Sequence, residues 1–476
     1  MIKKTKFNLK VFYFFLGITV LVFCFGCQQE LLQTENVEES EPLMLKSGRI
    51  TNFMVITKSE TLPRGLEEKL ADYGTVVNSI PEIGIVVLKS GSPNLEKELA
   101  SFPEITAVVP DLKTQWIEPE KFTKEANPAS IGSDESLFFY QWGMDAIDAP
   151  EAWNAGFTGK KARVFVLDDG IDPTISDLFP NVNTELSTSF VPDEEFYVQN
   201  TSVFSHGTHV AGIIAAADNG FGVIGVAPDA EIVAVKVLSE KDGSGAFSWI
   251  NDGIVYAANN GADVINMSLG ARFNKNGFYY DEDGNLVKIP AVYIQNLIRA
   301  QQRAINYAWK KGAVVVTSAG NSGLNADGNG SVIIIPAELQ NVVSVSATAP
   351  NYWYGDFLNG LEPLWDIPAS YTDFGKSLVD IAAPGGDTDY YEEYFGFTDM
   401  IIGTGPNNSI WFSAGTSFAS PHVAGVAALI VSKNNGNIKP QSVVRQLLKT
   451  ADHADRNGMS SYLGKGRVNA YRAVTE

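Results

Sequence analysis

The chain has 476 residues, of which 45% are hydrophobic, and this composition is typical of a globular protein rather than a disordered one. A length of this order allows one large domain together with a smaller one. The formal net charge of −20 disfavours nucleic acid and anionic membrane surfaces as binding partners.

The first 26 residues have the layout of an export signal. Lysines at positions 3, 4, 6 and 10 precede an apolar run at 11–25. A membrane-anchoring helix is the alternative, although the run is short for a bilayer span. Gly26-Cys27 resembles the cleavage box of bacterial lipoproteins, with Cys24 where such boxes usually carry leucine. We therefore predict a signal peptide over 1–26, a lipid on Cys27, a tether over 27–50, and an exported lipoprotein or secreted product.

The two cysteines of the chain, Cys24 and Cys27, both lie in this region. The predicted mature protein therefore contains no internal disulfide, and its stability must come from its core or from bound metal.

Residues 51–118 are predicted to form a small α+β domain. Strand patterns and helix patterns alternate along it, with strands at 52–58, 83–89 and 105–111 and helices at 62–74 and 94–103. The next stretch, 119–137, is rich in charge, Pro, Ser and Gly, which indicates an exposed linker.

From residue 138 onward, apolar strands alternate with helices. The strands are predicted at 162–170, 231–238, 263–270, 313–321 and 342–348, and helices at 248–261 and 293–312. Strands that are apolar almost throughout, with helices between them, indicate an α/β fold whose parallel sheet is covered on both faces.

Reactive side chains stand at the strand ends and helix starts of this region. Asp168 ends a strand, His206 and His209 precede an apolar helix, and Ser417 lies just ahead of another. An acid, an imidazole and a hydroxyl at such places are the components of nucleophilic acyl transfer. Taken singly, Asp168 could cap a helix or bind metal, the two histidines could bind zinc, and Ser417 could be a helix cap.

The motifs DDGID, HGTHVAG and GTSFASPHVAG, in the order Asp–His–Ser, resemble those of the subtilisin family of serine proteases across 138–476. The resemblance implies a three-layer α/β fold with a mainly parallel sheet. It also implies that Ser417 is the nucleophile, that His206 is the general base, and that Asp168 orients the imidazole. Asn321, in SAGN, would stabilise the oxyanion, and neither His209 nor His422 would be catalytic.

The same resemblance implies a groove that binds peptide as an added strand. One edge would be Gly243, Ser244 and Gly245, and the other would be Ser268, Leu269 and Gly270. Ser318, Ala319 and Gly320 would border the first specificity pocket. Ile334 or Ile335 stands where many relatives have a smaller residue, so we expect a shallow pocket that accepts aromatic side chains poorly.

Two further features follow from the resemblance. Residues 51–118 resemble the family's inhibitory propeptide, so a zymogen cut between 118 and 138 is expected. The stretch AADNGFGVIGVAP at 216–228 resembles the family's calcium loop, with Asp177 and Asn219 as ligands. A plain Gly-rich turn is the alternative there, and Phe138 replaces a glutamine ligand of the family.

An insert at 273–290 is predicted to form a hairpin around Asp283-Gly284. Its acidic cluster is expected to be a solvated turn rather than a second calcium site.

The sequence therefore predicts an exported, lipid-anchored serine endopeptidase that is made as a zymogen. Its partners would be protein or peptide substrates, its own propeptide and, through the lipid, a membrane. The alternatives are a processing protease dedicated to one partner and a catalytically silent peptide-binding protein.

Overall fold

The computed structural model describes residues 52–92, 94–117, 122–125 (backbone only), 135–281, 285–328, 330–361, 363–393, 395–452 and 460–476. They all belong to one compact unit, Glu38–Glu476. The predicted export signal, Cys27 and the tether lie outside these residues, as does the hairpin tip at Asp283-Gly284. No helix within the described ranges has the length and apolar character that a membrane crossing requires.

The small N-terminal unit is a four-stranded antiparallel sheet with two short helices. Its elements are β1 (Asn52–Thr57), α1 (Leu66–Leu70), β2 (Thr75–Ile80), β3 (Ile85–Lys89), α2 (Leu95–Leu99) and β4 (Ile105–Pro110), and its strand order is β2-β3-β1-β4. Two further strands follow it, β5 (Lys113–Gln115) and β6 (Phe122–Glu125).

The larger part of the chain comprises the remaining strands and helices. They are α3 (Trp142–Ala146), α4 (Ala149–Asn154), β7 (Arg163–Asp168), β8 (Thr188–Ser189), α5 (His206–Ala215), β9 (Glu231–Lys236), β10 (Ser244–Ala246), α6 (Phe247–Asn259), β11 (Val264–Met267), β12 (Ala271–Asn274), β13 (Phe278–Tyr280), β14 (Leu286–Lys288), α7 (Ala291–Lys311), β15 (Val314–Ser318), β16 (Val332–Ile335), β17 (Val342–Ala349), α8 (Trp353–Leu358), β18 (Ile367–Pro368), β19 (Ile381–Pro384), β20 (Ile401–Gly405), β21 (Ser409–Ser413), α9 (Thr416–Lys433), α10 (Pro440–Thr450) and α11 (Ala470–Thr475).

The central sheet has the order β18-β17-β15-β11-β7-β9-β8, with β19 also paired to β17. All of its pairs are parallel except β17–β18. Along β7, Val164 and Val166 join the core under α5 and α9, whereas Phe165 and Leu167 join the core under α6 and α7. Both faces of the strand are buried, which explains its continuous apolar run. The predicted three-layer α/β fold is confirmed.

The small unit packs its sheet against α6 and α7. Met54 and Ile56 join the core beneath these helices, while Val55, which points to the other face of the sheet, packs with the leucines of α1 and α2. Arg303 of α7 donates to the backbone carbonyl of Thr57 at 3.1 Å. The predicted helix and strand pattern of 51–118 thus forms one layer on the larger domain.

Three local features of the structure differ from the prediction made from the sequence. The helix predicted over 62–74 is confined to Leu66–Leu70, and it begins only after Gly65 because this residue takes a left-handed φ of 75°. Strand β2 was not predicted. The expected exposed linker at 119–137 contains β6, and Glu135 and Leu137 at its end are buried.

Candidate active site

The predicted substrate groove is occupied by the chain itself. Strand β5 pairs antiparallel with β10, which holds the predicted edge residues Ser244 and Gly245. Trp116 continues this strand, and its carbonyl accepts from the Gly270 N–H at 2.8 Å. Its indole N–H donates to the Gly245 carbonyl at 2.8 Å, and its ring packs edge-on against Phe247. Both predicted groove edges therefore bind one extended segment.

A second segment of the same N-terminal region pairs with the strand that precedes Ser417. Strand β6 pairs antiparallel with β21, with Phe122 opposite Ser413. Ser413 precedes Ser417 by four residues. Trp116 therefore pairs with the groove edge at Gly270, and Phe122 pairs with the strand that leads into the helix of the candidate nucleophile.

The acid and the imidazole are joined at the end of β7 and the start of α5. Asp168 Oδ1 lies 2.8 Å from His206 Nδ1, and both side chains are at most 5% exposed. The neighbouring Asp169, which the sequence analysis did not single out, accepts from the backbone N–H groups of His206 and Gly207. Burial, and then the Asp168 charge, raise the pKa of Asp169 to about 7. Asp169 thus anchors the helix start that carries His206.

Ser417 lies inside α9 rather than ahead of it. The helix begins at Thr416 after Gly415, so the interpretation of Ser417 as a helix cap is wrong. Pro421 is within the helix and has no N–H to donate to the Ser417 carbonyl. Ser268 Oγ donates to that carbonyl instead, at 2.7 Å. Ser417 Oγ donates to the Ser268 carbonyl at 3.4 Å.

Asn321 is oriented by the residue before the serine. Its Oδ1 accepts from the Thr416 N–H at 2.8 Å and from Thr416 Oγ1 at 2.7 Å. Thr416 Oγ1 also accepts from the Gly320 N–H at 3.2 Å. Because two donors fix the carbonyl end of the amide, Nδ2 is the end that can donate to a substrate oxygen. The sequence analysis did not identify this role of Thr416, although the residue stands within the quoted motif.

A small cavity beside Ser417 corresponds to the predicted specificity pocket. Its lining residues are Trp116, Gly270, Ala271, Arg272, Ser318, Gly320, Asn321, Ile334, Asp373, Thr416 and Ser417. Ile334 lines it, whereas Ile335 belongs to the core beneath α6 and α7. Ala319 packs in a separate buried cluster with Ile334, and Leu269 is 1% exposed.

The two other described histidines are buried. Burial lowers the pKa of His209 to about 3 and that of His422 to about 4. The His209 ring lies against Phe418, with 4.9 Å between centroids, and His422 Nδ1 contacts the Phe418 carbonyl at 2.8 Å. Both imidazoles are therefore neutral packing groups at ordinary pH.

The predicted calcium ligands meet beside Val223: Asn219 comes from the loop before it, and Asp177 comes from the segment between β7 and β8. Asn219 Nδ2 is 3.5 Å from Asp177 Oδ1, and burial raises the pKa of Asp177 to about 6. Glu135 Oε1 accepts from the N–H groups of Asn219 and Gly220. These oxygens are hard donors of the kind that calcium prefers, but no group of three acidic, His or Cys ligands close enough for an ion occurs among the described residues. Calcium binding here stays a prediction.

Comparison of the sequence with known proteins identifies the family of this chain. The family model described as "Subtilase family" matches residues 159–466. The chain belongs to the subtilase family. It is 35% identical over 335 residues to thermitase of Thermoactinomyces vulgaris, which covers 70% of this chain and 95% of the relative. It is 36% identical over 359 residues to subtilisin NAT of Bacillus subtilis subsp. natto, covering 75% and 77%. This subtilase is a serine endopeptidase.

Solved structures similar to the subtilase include peptide-processing enzymes. The epidermin leader peptide processing serine protease of Staphylococcus aureus matches with a TM-score of 0.69 and 24% identity, covering 89% of this chain and 97% of that one. At this identity the match shows a shared fold. A lanthipeptide protease matches with a TM-score of 0.56 and 28% identity, covering 70% and 94%.

Proposed function

We propose that this protein hydrolyses peptide bonds through Asp168, His206 and Ser417, with Asn321 as an oxyanion donor, and that it is made as a self-cleaving zymogen. The observation that carries the proposal is the 2.8 Å contact between Asp168 and His206 in a cleft that ends at Ser417 and already binds the protein's own chain.

The chemistry follows from the positions of the groups. Ser417 Oγ attacks the substrate carbonyl carbon and gives its proton to His206, whose imidazolium is stabilised by Asp168. The oxyanion accepts from Asn321 Nδ2 and from the Ser417 N–H, which as the second residue of α9 is outside the helical ladder. His206 then protonates the leaving amine, and water hydrolyses the acyl-enzyme by the same steps.

The zymogen proposal rests on the two strands that border the cleft. Strand β5 and Trp116 bind one side of it and β6 binds the other, as the two halves of a peptide substrate would. The scissile bond is therefore expected between Ile117 and Phe122. This interval is narrower than the 118 to 138 linker expected from the sequence and begins one residue before it.

Self-cleavage is tested with residues 28–476 and a Ser417→Ala variant, both followed by intact mass over time. We expect the parent to give two fragments that meet within 117–122, while the variant stays whole. A variant that is trimmed equally would show that another protease makes the cut. If neither is trimmed, a serine-reactive probe on both proteins separates a competent nucleophile from a silent one.

The proposal includes a lipid on Cys27, and it leaves a broad and a dedicated substrate range to be distinguished by experiment. Metabolic labelling with a fatty-acid analogue is expected to mark the full-length chain and not a Cys27→Ser variant. A panel of unrelated proteins distinguishes a broad enzyme from a dedicated one. The similarity to the lanthipeptide protease supports including leader-type peptides in that panel.

A further inference from the structure

The wall of the cavity beside Ser417 carries an arginine on β12, a strand of the four-stranded antiparallel sheet β14-β13-β12-β16. Strand β12 pairs antiparallel with β16, so that Arg272 lies opposite Ile334. Their neighbours Phe273 and Ile335 point to the other face and join the core beneath α6 and α7. Because side chains alternate along a strand, Arg272 and Ile334 share the face that lines the cavity.

The position of the face shared by Arg272 and Ile334 determines which substrate side chain it would contact. The same cavity is lined by Ser318, Gly320 and the nucleophile Ser417. Side chains on the opposite side of the scissile bond would follow β21 instead, where β6 is paired. Arg272 therefore borders the pocket for the residue on the amino side of the scissile bond, and Ile334 limits its depth.

Asp373 is the other charged residue that lines the cavity. Asp373 is fully buried, and its Oδ1 accepts from the N–H groups of Ser322 and Leu324 at 3.0 and 2.7 Å. Its Oδ2 packs beneath Gly320, where an added Cβ would come within 2.2 Å of it. This carboxylate supports the turn after β15, whereas the Arg272 side chain is half-buried in the cavity wall.

We propose that Arg272 selects an acidic residue immediately on the amino side of the scissile bond. A guanidinium pairs with a carboxylate through two parallel hydrogen bonds, which gives both strength and orientation. Ile334 disfavours large aromatic residues at the same position by occupying the depth they need. The inference deepens the proposed function and rests on it.

The test uses three peptides that differ only at this position, which is Glu, Gln or Lys. We expect wild-type kcat/KM to be about tenfold or more higher for Glu than for Gln. The ratio should fall to about one in Arg272→Gln, stay above one in Arg272→Lys, and shift towards the Lys peptide in Arg272→Glu. Each ratio is measured within one enzyme preparation, so a partly folded variant does not distort it.

Three outcomes would overturn the inference. A wild-type ratio near one would show that Arg272 does not read the substrate charge. A ratio unchanged in Arg272→Gln would assign the preference to another group, and a preference for Lys would assign it to Asp373. If the wild type cleaved none of the peptides, the proposed function would fail as well, so the two failures are distinguishable.

Discussion

At the scale of single residues, Thr416 connects the proposed oxyanion donor, Asn321, to the proposed nucleophile, Ser417. Its hydroxyl and its N–H both donate hydrogen bonds to Asn321 Oδ1, and the next residue along the chain is Ser417. The amide proposed to stabilise the developing charge is thus oriented by the first residue of α9. Preorganised donors of this kind act because they need no rearrangement during the reaction.

We expect Thr416→Val to lower kcat by about tenfold with little change in KM, because the loss of one hydrogen bond loosens Asn321 without removing it. Thr416→Ser is the matched control, because it keeps the hydroxyl and should retain most of the rate. Steady-state kinetics on one peptide, with active-site titration, measures both. A loss of rate in Thr416→Ser with none in Thr416→Val would show that the methyl group matters instead.

At the scale of elements, the small unit docks on the larger domain through carboxyl groups at α6. Asp111 accepts from the Ser248 N–H and hydroxyl at the start of this helix. Asp252, one turn further on, accepts from Asn78, and Glu82 of the small unit lies near it. Burial raises the pKa of both Asp111 and Asp252 from 3.8 to about 6.

This interface predicts pH-dependent release of the small unit after self-cleavage. Once separated, the two carboxyl groups return to water and to pKa values near 3.8, so the docked state favours their protonated forms. Their favourable contribution is complete below about pH 4 and is lost as the pH rises through 6. We expect the N-terminal fragment to dissociate faster at pH 7.5 than at pH 5, as followed by gel filtration of the cleaved protein.

The double variant Asp111→Asn, Asp252→Asn tests the cause. It keeps the hydrogen-bonding shapes but cannot ionise, so its release rate should change much less between the two pH values. A pH dependence as steep as that of the parent would contradict the assignment.

The elements also show what sequence can predict. The central strands were predicted correctly because a strand that is buried on both faces has apolar residues at nearly every position, as β7 does. Strand β6 was not predicted, because within the described residues it pairs with β21, which is more than 280 residues away in the chain. Among site residues, Ser417, His206 and Asp168 were predicted from their motifs, whereas the contribution of Arg272 depends on its pairing with Ile334 across two strands.

At the scale of the whole molecule, we expect calcium to raise the melting temperature by a few degrees. Asp177 is ionised above its pKa of about 6, and burial also raises the pKa of Glu135, so a cation would offset their charge. The effect should be larger at pH 8 than at pH 5 and smaller in Asp177→Asn. Thermal unfolding of the Ser417→Ala protein with calcium or a chelator measures it without self-digestion. An unchanged transition would show that hydrogen bonds to Glu135 and Asp177 close this loop alone.

The pairing of β5 and β6 with the two parts of the cleft also has a consequence for how the protein is first cut and then released. If the segment between β5 and β6 is the first substrate, as proposed, the first cut should follow first-order kinetics whatever the protein concentration. Cys27 lies on one side of that cut and Ser417 on the other. With a lipid on Cys27, the membrane would keep the inhibitor while the surroundings receive the enzyme, and a single bond would separate an anchored, silent protein from a diffusing, active one.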